Sequence, residues 1–353
     1  MKIIYLAQPL SRFKTGASQV MSRNLRALKL IAGDENVYEY YLPPISIKSV
    51  ILSLFRLRSY GITKQTEDKF LETVEKIDPD VVFVESSCYG SIYERLREFK
   101  CKTICFAHNL DTELCRQEIT SRNPLIGIPK YISAKINEKK CCKCVDLLIC
   151  LSVRDSDGFK KMFGRGANVI LPITFPEREL EYNKQNISPY FLFVGSNFFP
   201  NIEGIKWFIQ NVAPHINADI HLVGSCCENS IIRQLNLPKN VYLIGYTENL
   251  ESEYVGAAGV IAPIFKGSGM KTKTIEALSY SKSIFGTSEA FAGIDCNYNQ
   301  IGALCNSADE FIASLTKHSG QIYNEYSQKL FREKYSDQSF ICRFSKALND
   351  LAK

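Results

Sequence analysis

The chain has 353 residues, 45% of them apolar and 23% charged, with 43 basic and 37 acidic residues for a net charge of +6. These proportions belong to a folded globular protein, not a disordered or fibrous one, and the length suits two domains better than one. No apolar stretch approaches the roughly 18 residues of a membrane-spanning helix.

The N-terminal residues enter a strand pattern at once and show no signal-peptide profile. With thirteen cysteines, an odd number scattered over a long chain, this reads as a cytosolic protein with reduced thiols. Cys141-Cys142-Lys143-Cys144 is the one dense cluster, but no second pair follows at zinc spacing, so we read it as part of a packed helix. Charge is uneven. Residues 1–60 carry nine basic and three acidic side chains, a surplus equal to that of the whole chain, which points to an anionic partner or surface.

Apolar runs of strand length recur along the chain. The first half holds Lys2–Ala7, Asp80–Val84, Lys102–Ala107, Asp146–Leu151 and Asn168–Leu171. The second holds Tyr190–Gly195, Asp219–Gly224, Asn240–Ile244, Gly259–Ile264 and Ser283–Gly286. Longer amphipathic stretches separate them, the signature of parallel α/β sheets. Ten strands predict two Rossmann-like domains, with a ligand cleft between them. We place the first at residues 1–175, a polar linker at 176–189 and the second at 190–336. A last helix, 337–353, is expected to cross back to the first.

Ile45–Ile62 combines Ile47, Val50, Ile51, Leu54, Phe55 and Leu57 with Lys48, Arg56 and Arg58. It reads either as a shallow contact with an anionic membrane or as an amphipathic helix packed on the first sheet. Asp111 and Glu113 could line the cleft or cap a helix. Asp155-Ser156-Asp157 matches a metal-binding Asp-x-Asp pattern, but its place before Phe159–Phe163 favours a cap. His215, His221 and His318 lack partners at ligand spacing.

The most informative segment follows the strand Gly259–Ile264. Lys266-Gly267-Ser268-Gly269-Met270-Lys271 is a glycine loop, and Thr272-Lys273-Thr274-Ile275-Glu276-Ala277 opens a helix. Strand, glycine loop and helix start together present free N–H groups to an anion. Two lysines in a first helical turn oppose the helix dipole unless an anion binds there. A Walker A loop needs Lys directly after its last Gly, but Met270 stands there; a dinucleotide fingerprint needs three glycines after a first strand. What remains is a phosphate cradle. Ser268 and Gly269 would offer N–H groups, Lys271 and Lys273 would supply charge, and Glu276 suits ribose hydroxyls. Alternatively the glycines only turn the chain, and Lys273 pairs with Glu276 at i,i+3.

The run Gly267–Ala277 resembles the donor-site signature of retaining GT-B glycosyltransferases of family 4, in particular bacterial enzymes of surface and capsular polysaccharide biosynthesis. Phe106–Glu113, with His108 and Asn109, resembles the family's His-Asn segment. Leu151–Asp155 resembles its Ser-x-x-Asp helix start, and Phe193–Ser196 with Pro200–Gly204 the opening of its second domain. The resemblance implies two Rossmann-like domains of GT-B architecture. It implies a nucleotide diphosphate sugar as donor substrate, no cofactor and no metal. The acceptor would be a growing surface glycan that could be lipid-linked, at the inner face of the plasma membrane, with no nucleic acid involved.

By that resemblance Gly16 approaches the donor phosphates. His108 meets the donor sugar near the reacting carbon. Lys271 and Lys273 stabilise the leaving diphosphate, with N–H groups of Ser268, Gly269 and Met270 assisting. Glu276 binds the ribose, and Tyr246 and Thr247 lie near the base. Two features depart from the family. Ser268 stands where the first carboxylate of a Glu-x7-Glu pair is usual, and Ser196 and Asn201 align with a usual Arg and Lys. Two other readings remain: a nucleotide-sugar 2-epimerase of the same fold, and a non-catalytic glycosyltransferase-like subunit.

Overall fold

A computed structural model describes residues 1–9, 16–55, 58–121, 124–180, 190–267, 269–318 and 320–351. The chain divides into two compact units, Met1–Pro172 with Ile341–Lys353, and Ile173–Phe340.

The N-terminal unit holds a parallel six-stranded sheet of β1 (Ile3–Ala7), β2 (Val37–Tyr41), β3 (Val81–Val84), β4 (Lys102–Ala107), β5 (Leu147–Cys150) and β6 (Val169–Ile170). Their order is β2-β1-β3-β4-β5-β6. β1, β3 and β5 are buried at every position, which is why they read as unbroken apolar runs. Phe70, Tyr93 and Phe159 fill the core over one face of the sheet. On β1, β3 and β4, Tyr5, Phe83 and Phe106 form an aromatic row, with ring centroids 5.9 and 6.1 Å apart. The helix Asp337–Leu351 adds Phe344, edge-on to Phe83 at 5.8 Å.

The second unit holds β7 (Tyr190–Val194), β8 (Ile220–Val223), β9 (Val241–Gly245), β10 (Ala257–Ala262), β11 (Ser283–Gly286) and β12 (Gly302–Leu304). All pairs are parallel, in the order β12-β11-β10-β7-β8-β9. Counted from its first strand, this is the 3-2-1-4-5-6 order of a dinucleotide-binding fold. The strand order reverses between the neighbouring parallel strands β7 and β10, so ligands are expected beyond the carboxyl ends of those two strands. The fully buried Lys282 ties this sheet together: its ammonium donates to the carbonyls of Val255, Ala257 and Ile322 at 2.5–2.9 Å.

The α/β class with two parallel sheets is the expected one, and all ten expected strands are present with ends within two residues. Two were not anticipated. β2 is an edge strand whose Tyr-Glu-Tyr-Tyr stretch is mostly exposed, and β12 is a three-residue edge strand. Neither buries two faces, so neither forms an apolar run. The N-terminal part of the expected linker, residues 176–180, has no regular secondary structure; residues 181–189 lie outside the described residues.

Candidate functional site

In the second unit the glycine loop occupies the predicted place, after β10 and before the helix Thr272–Ser279. Gly267 (φ 140°) and Gly269 (φ 65°) both adopt conformations that suit glycine, so the loop's shape requires them. Ser268 lies outside the described residues. Met270 is buried under the loop. Lys271 is the residue before the helix and not in its first turn, a correction of one position; Lys273 is within that turn. The helix has no side-chain cap and no acidic residue in its first turn, so its N–H groups face no built-in anion.

The two lysines take different partners. Lys271 Nζ donates to Glu289 Oε1 at 2.7 Å and to the Gly269 carbonyl at 2.9 Å. Lys273 Nζ donates to Asn201 Oδ1 at 2.7 Å and lies 4.3 Å over the Phe193 ring. Asn201 in turn donates to the Ser196 carbonyl and hydroxyl at 3.0 and 3.2 Å. Ser196 and Asn201, the two neutral departures, therefore form a relay from the end of β7 that holds Lys273 in place. Burial, with the neighbouring Lys271 adding to it, lowers the Lys273 pKa to about 7. Glu276 does not pair with Lys273; it accepts from Tyr254 at 3.3 Å, and burial raises its pKa. Tyr254 stacks on Tyr280 at 4.3 Å, and the Arg178 guanidinium covers Tyr280 at 4.5 Å.

Gly204, in the helix Phe199–Asn211, lets that helix approach the loop after β10. A Cβ there would sit 1.8 Å from the Pro263 carbonyl oxygen. Gly195 N–H donates to the Val223 carbonyl of β8, and Gly224 N–H to the Gly245 carbonyl of β9, so the carboxyl ends of β7, β8 and β9 form one rim. Tyr246, 74% exposed, and Thr247 continue that rim after β9. In the sheet, β7 and β8 stand between β9 and the strand that leads into the lysine loop.

In the N-terminal unit His108 follows β4 directly. Its Nε2 lies 2.7 Å from Glu85 Oε2 at the end of β3. Glu85, almost fully buried, also accepts from Tyr5 at 2.9 Å and from Asn24 at 3.0 and 3.2 Å; Asn24 is held by Arg23 at 2.7 and 3.1 Å. A carboxylate surrounded by donors makes Nε2 of His108 the protonated nitrogen and leaves Nδ1 for another partner. Burial, with this carboxylate beside it, raises the Tyr5 pKa well above its usual range. Gly16 is not in a loop: it is the first residue of the helix Gly16–Ala32 that carries Arg23 and Asn24, and residues 10–15 before it lie outside the described residues.

Beside His108, Cys88, Asp111 and Glu138 bring ligand atoms within 4.8 Å of one another. Both Glu138 oxygens are already engaged, by Ser87, by the N–H groups of Asp111 and Thr112, and by the Thr112 hydroxyl. This carboxylate caps the helix Asp111–Ser121, and the Asp111 side chain accepts from Cys88 Sγ at 3.3 Å. Burial and the neighbouring Asp111 push the Glu138 pKa up to about 7. Asp155 lies in the first turn of the helix Val153–Phe163, and its N–H donates to the capping Ser152 hydroxyl. His221 stacks on Tyr190 at 3.6 Å and His318 bonds the Ala258 carbonyl, both structural roles. Cys141 and Cys142 lie in the apolar core, where burial pushes their thiols up.

Residues 188–319 match the family model described as Glycosyl transferases group 1. The matched stretch begins just before β7 and includes the rim, the Ser196–Asn201–Lys273 relay and the glycine loop. A Klebsiella pneumoniae protein described as an uncharacterized 44.6 kDa protein in the cps region is 26% identical over 206 residues, 55% of this chain and 52% of its own. The chain thus spans about half the length of that curated relative. Solved structures match the whole fold. Sucrose-phosphate synthase from Thermosynechococcus elongatus gives a TM-score of 0.72 at 14% identity, covering 99% of this chain and 98% of its own. The Anabaena protein HepE in complex with UDP and glucose gives 0.69 at 11%, covering 99% and 100%. The lipopolysaccharide outer core galactosyltransferase WaaB gives 0.68 at 14%, covering 99% of each chain. The architecture is therefore that of the GT-B glycosyltransferases.

Sequence reasoning did not find Glu85, Asn24 or Glu289. Glu85 carried a signal: a carboxylate directly after the buried run Val81–Val84. Glu289 carried none, because its pairing with Lys271 spans eighteen positions through β11.

Proposed function

We propose that the chain is a retaining, metal-independent glycosyltransferase that moves a sugar from a nucleotide diphosphate donor onto a growing surface glycan, lipid-linked and made on the cytosolic side. The observation that carries this reading is the loop of Gly267 and Gly269 at the β7/β10 switch point, followed by an uncapped helix start with Lys271 and Lys273. The cps-region relative and the UDP-bound state of the Anabaena neighbour support the surface glycan and the donor class.

In this reading the bond between the anomeric carbon and the diphosphate oxygen breaks, and negative charge grows on the leaving diphosphate. N–H groups of Gly269 and Met270 and the two lysines oppose that charge, Lys271 giving up its contact with Glu289 to do so. The acceptor hydroxyl forms the new bond on the same face, and its proton goes to the leaving phosphate. No flanking carboxylate pair is needed, which fits Ser268 in place of Glu. His108, its ring fixed by Glu85, is our candidate for a hydrogen bond to the donor sugar. Glu276 is assigned to the ribose, Tyr246 and Thr247 to the base, and Gly16 to the donor phosphates.

A thermal-shift screen against UDP-, GDP-, ADP- and dTDP-sugars tests the assignment, because a ligand of the folded state raises the Tm. One donor should raise it, and Lys271→Ala with Lys273→Ala should abolish the rise. An undiminished rise in the double variant would refute the phosphate assignment. Turnover without acceptor would favour the 2-epimerase, and no binding of any donor the non-catalytic subunit.

A further inference from the structure

We propose that the N-terminal unit carries a face that docks on an anionic lipid bilayer, formed by the helices Ile47–Phe55 and Pro124–Cys144. In the longer helix the exposed positions from Ile128 onward are Ile128, Ile132, Lys135, Lys139 and Lys143. Steps of four, three, four and four residues place all five on one stripe of a helix. Its first two positions are apolar and its last three basic. The helix holds five lysines and one carboxylate, Glu138, which is fully buried and turned onto Ser87 and Thr112.

The shorter helix has no carboxylate. It exposes Ile47 (82%), Ile51 (50%) and Leu52 (44%) beside Lys48. The two helices are neighbours through Arg58–Gly61. Ser133 and Asn137 donate to the Arg58 carbonyl, Gly61 N–H donates to Ser53, and Lys130 lies 5.9 Å over the Tyr60 ring.

Single exposed apolar residues are ordinary on a soluble surface. Here isoleucines and leucine on two adjoining helices accompany lysines, with no exposed carboxylate on either helix to answer them. Side chains of this kind enter the boundary between headgroups and acyl chains while lysines meet anionic headgroups. A second copy docked face to face would set lysine against lysine. A nucleic acid would use the lysines but leave the isoleucines without a role. The proposal is independent of the transferase reading, because docking needs neither donor nor acceptor.

Flotation of the full chain with vesicles tests it, comparing phosphatidylglycerol-rich vesicles with phosphatidylcholine alone. The chain should float with the anionic vesicles at low salt and less so at high salt. Changing Lys135, Lys139 and Lys143 together to Gln should lower the partition coefficient on the order of a hundredfold. Ile128→Ser with Ile132→Ser should remove what survives high salt. Every changed residue is exposed, so an unchanged Tm in each variant verifies its fold. Absence of flotation at low salt, equal flotation with neutral vesicles, or indifference to the lysine variant would each overturn the proposal. So would a wild-type dimer that the isoleucine variant dissolves, since that identifies a second copy as the occupant.

Discussion

Lys273 sits against Phe193 and Asn201, and loss of hydration is what brings its pKa to about 7. Above that pH the folded protein binds fewer protons at this site than the unfolded chain does. Its share of folding stability therefore rises with pH from about 7 to the normal lysine value. Anion binding moves the other way, because a bound diphosphate needs the ammonium. Affinity for the nucleoside diphosphate is expected to fall up to about tenfold per pH unit above about 7. Titration calorimetry across that range should show the fall, and Lys273→Arg, which stays charged, should flatten it. Glu289 competes with any phosphate for Lys271. Glu289→Gln should tighten diphosphate binding by about fivefold, the worth of a partly exposed ion pair; weaker binding in that variant would show that Glu289 positions Lys271. The lysines were legible as a pair because two cations at a helix start are unfavourable alone. The partners that tune them were not, because Asn201 and Glu289 reach them only through the folded chain.

Elements were easier to read than contacts. A strand buried on both faces must be an unbroken apolar run, so the central strands declared themselves, while β2 and β12, each with one strand neighbour, did not. The strand order could not be read, since periodicity carries no pairing information. It is that order, 3-2-1-4-5-6 in the second unit, that brings the loop after β10 beside the end of β7. The helix Phe199–Asn211 completes this corner, and its Gly204 shows how closely. A methyl group there meets the Pro263 carbonyl, a backbone atom that can yield only by moving the loop or the helix. Gly204→Ala is expected to destabilise the second unit by about 2–3 kcal/mol through overpacking. It should also weaken donor binding, because Pro263 leads into the phosphate loop. Urea unfolding and thermal shift on the same variant separate the two effects; a variant as stable as the parent would mean the helix has room to move.

At the scale of the molecule, the chain returns late in its sequence to the unit it began with. Residues from Ile341 onward belong to the N-terminal unit, although the helix Asp337–Leu351 starts in the other. Phe344 and Leu348 are buried there, and Phe344 meets Phe83 in the aromatic row across β1, β3 and β4. Burying two side chains of this size contributes about 3–6 kcal/mol, against about 5–15 kcal/mol for a whole domain. A chain ending at Phe340 is therefore expected to keep the unfolding transition of the second unit and to lose most or all of that of the N-terminal unit. Phe344→Ala in the full chain should reproduce about 3–5 kcal/mol of that loss. Far-ultraviolet circular dichroism in urea, with Trp207 fluorescence as the reporter of the second unit alone, distinguishes the two transitions. Truncation that shifted the Trp207 signal and left the other transition intact would reverse the assignment of this helix. If the expected order holds, the N-terminal unit cannot complete its core until Phe344 and Leu348 have been made, so folding of the first sheet waits on synthesis of the second.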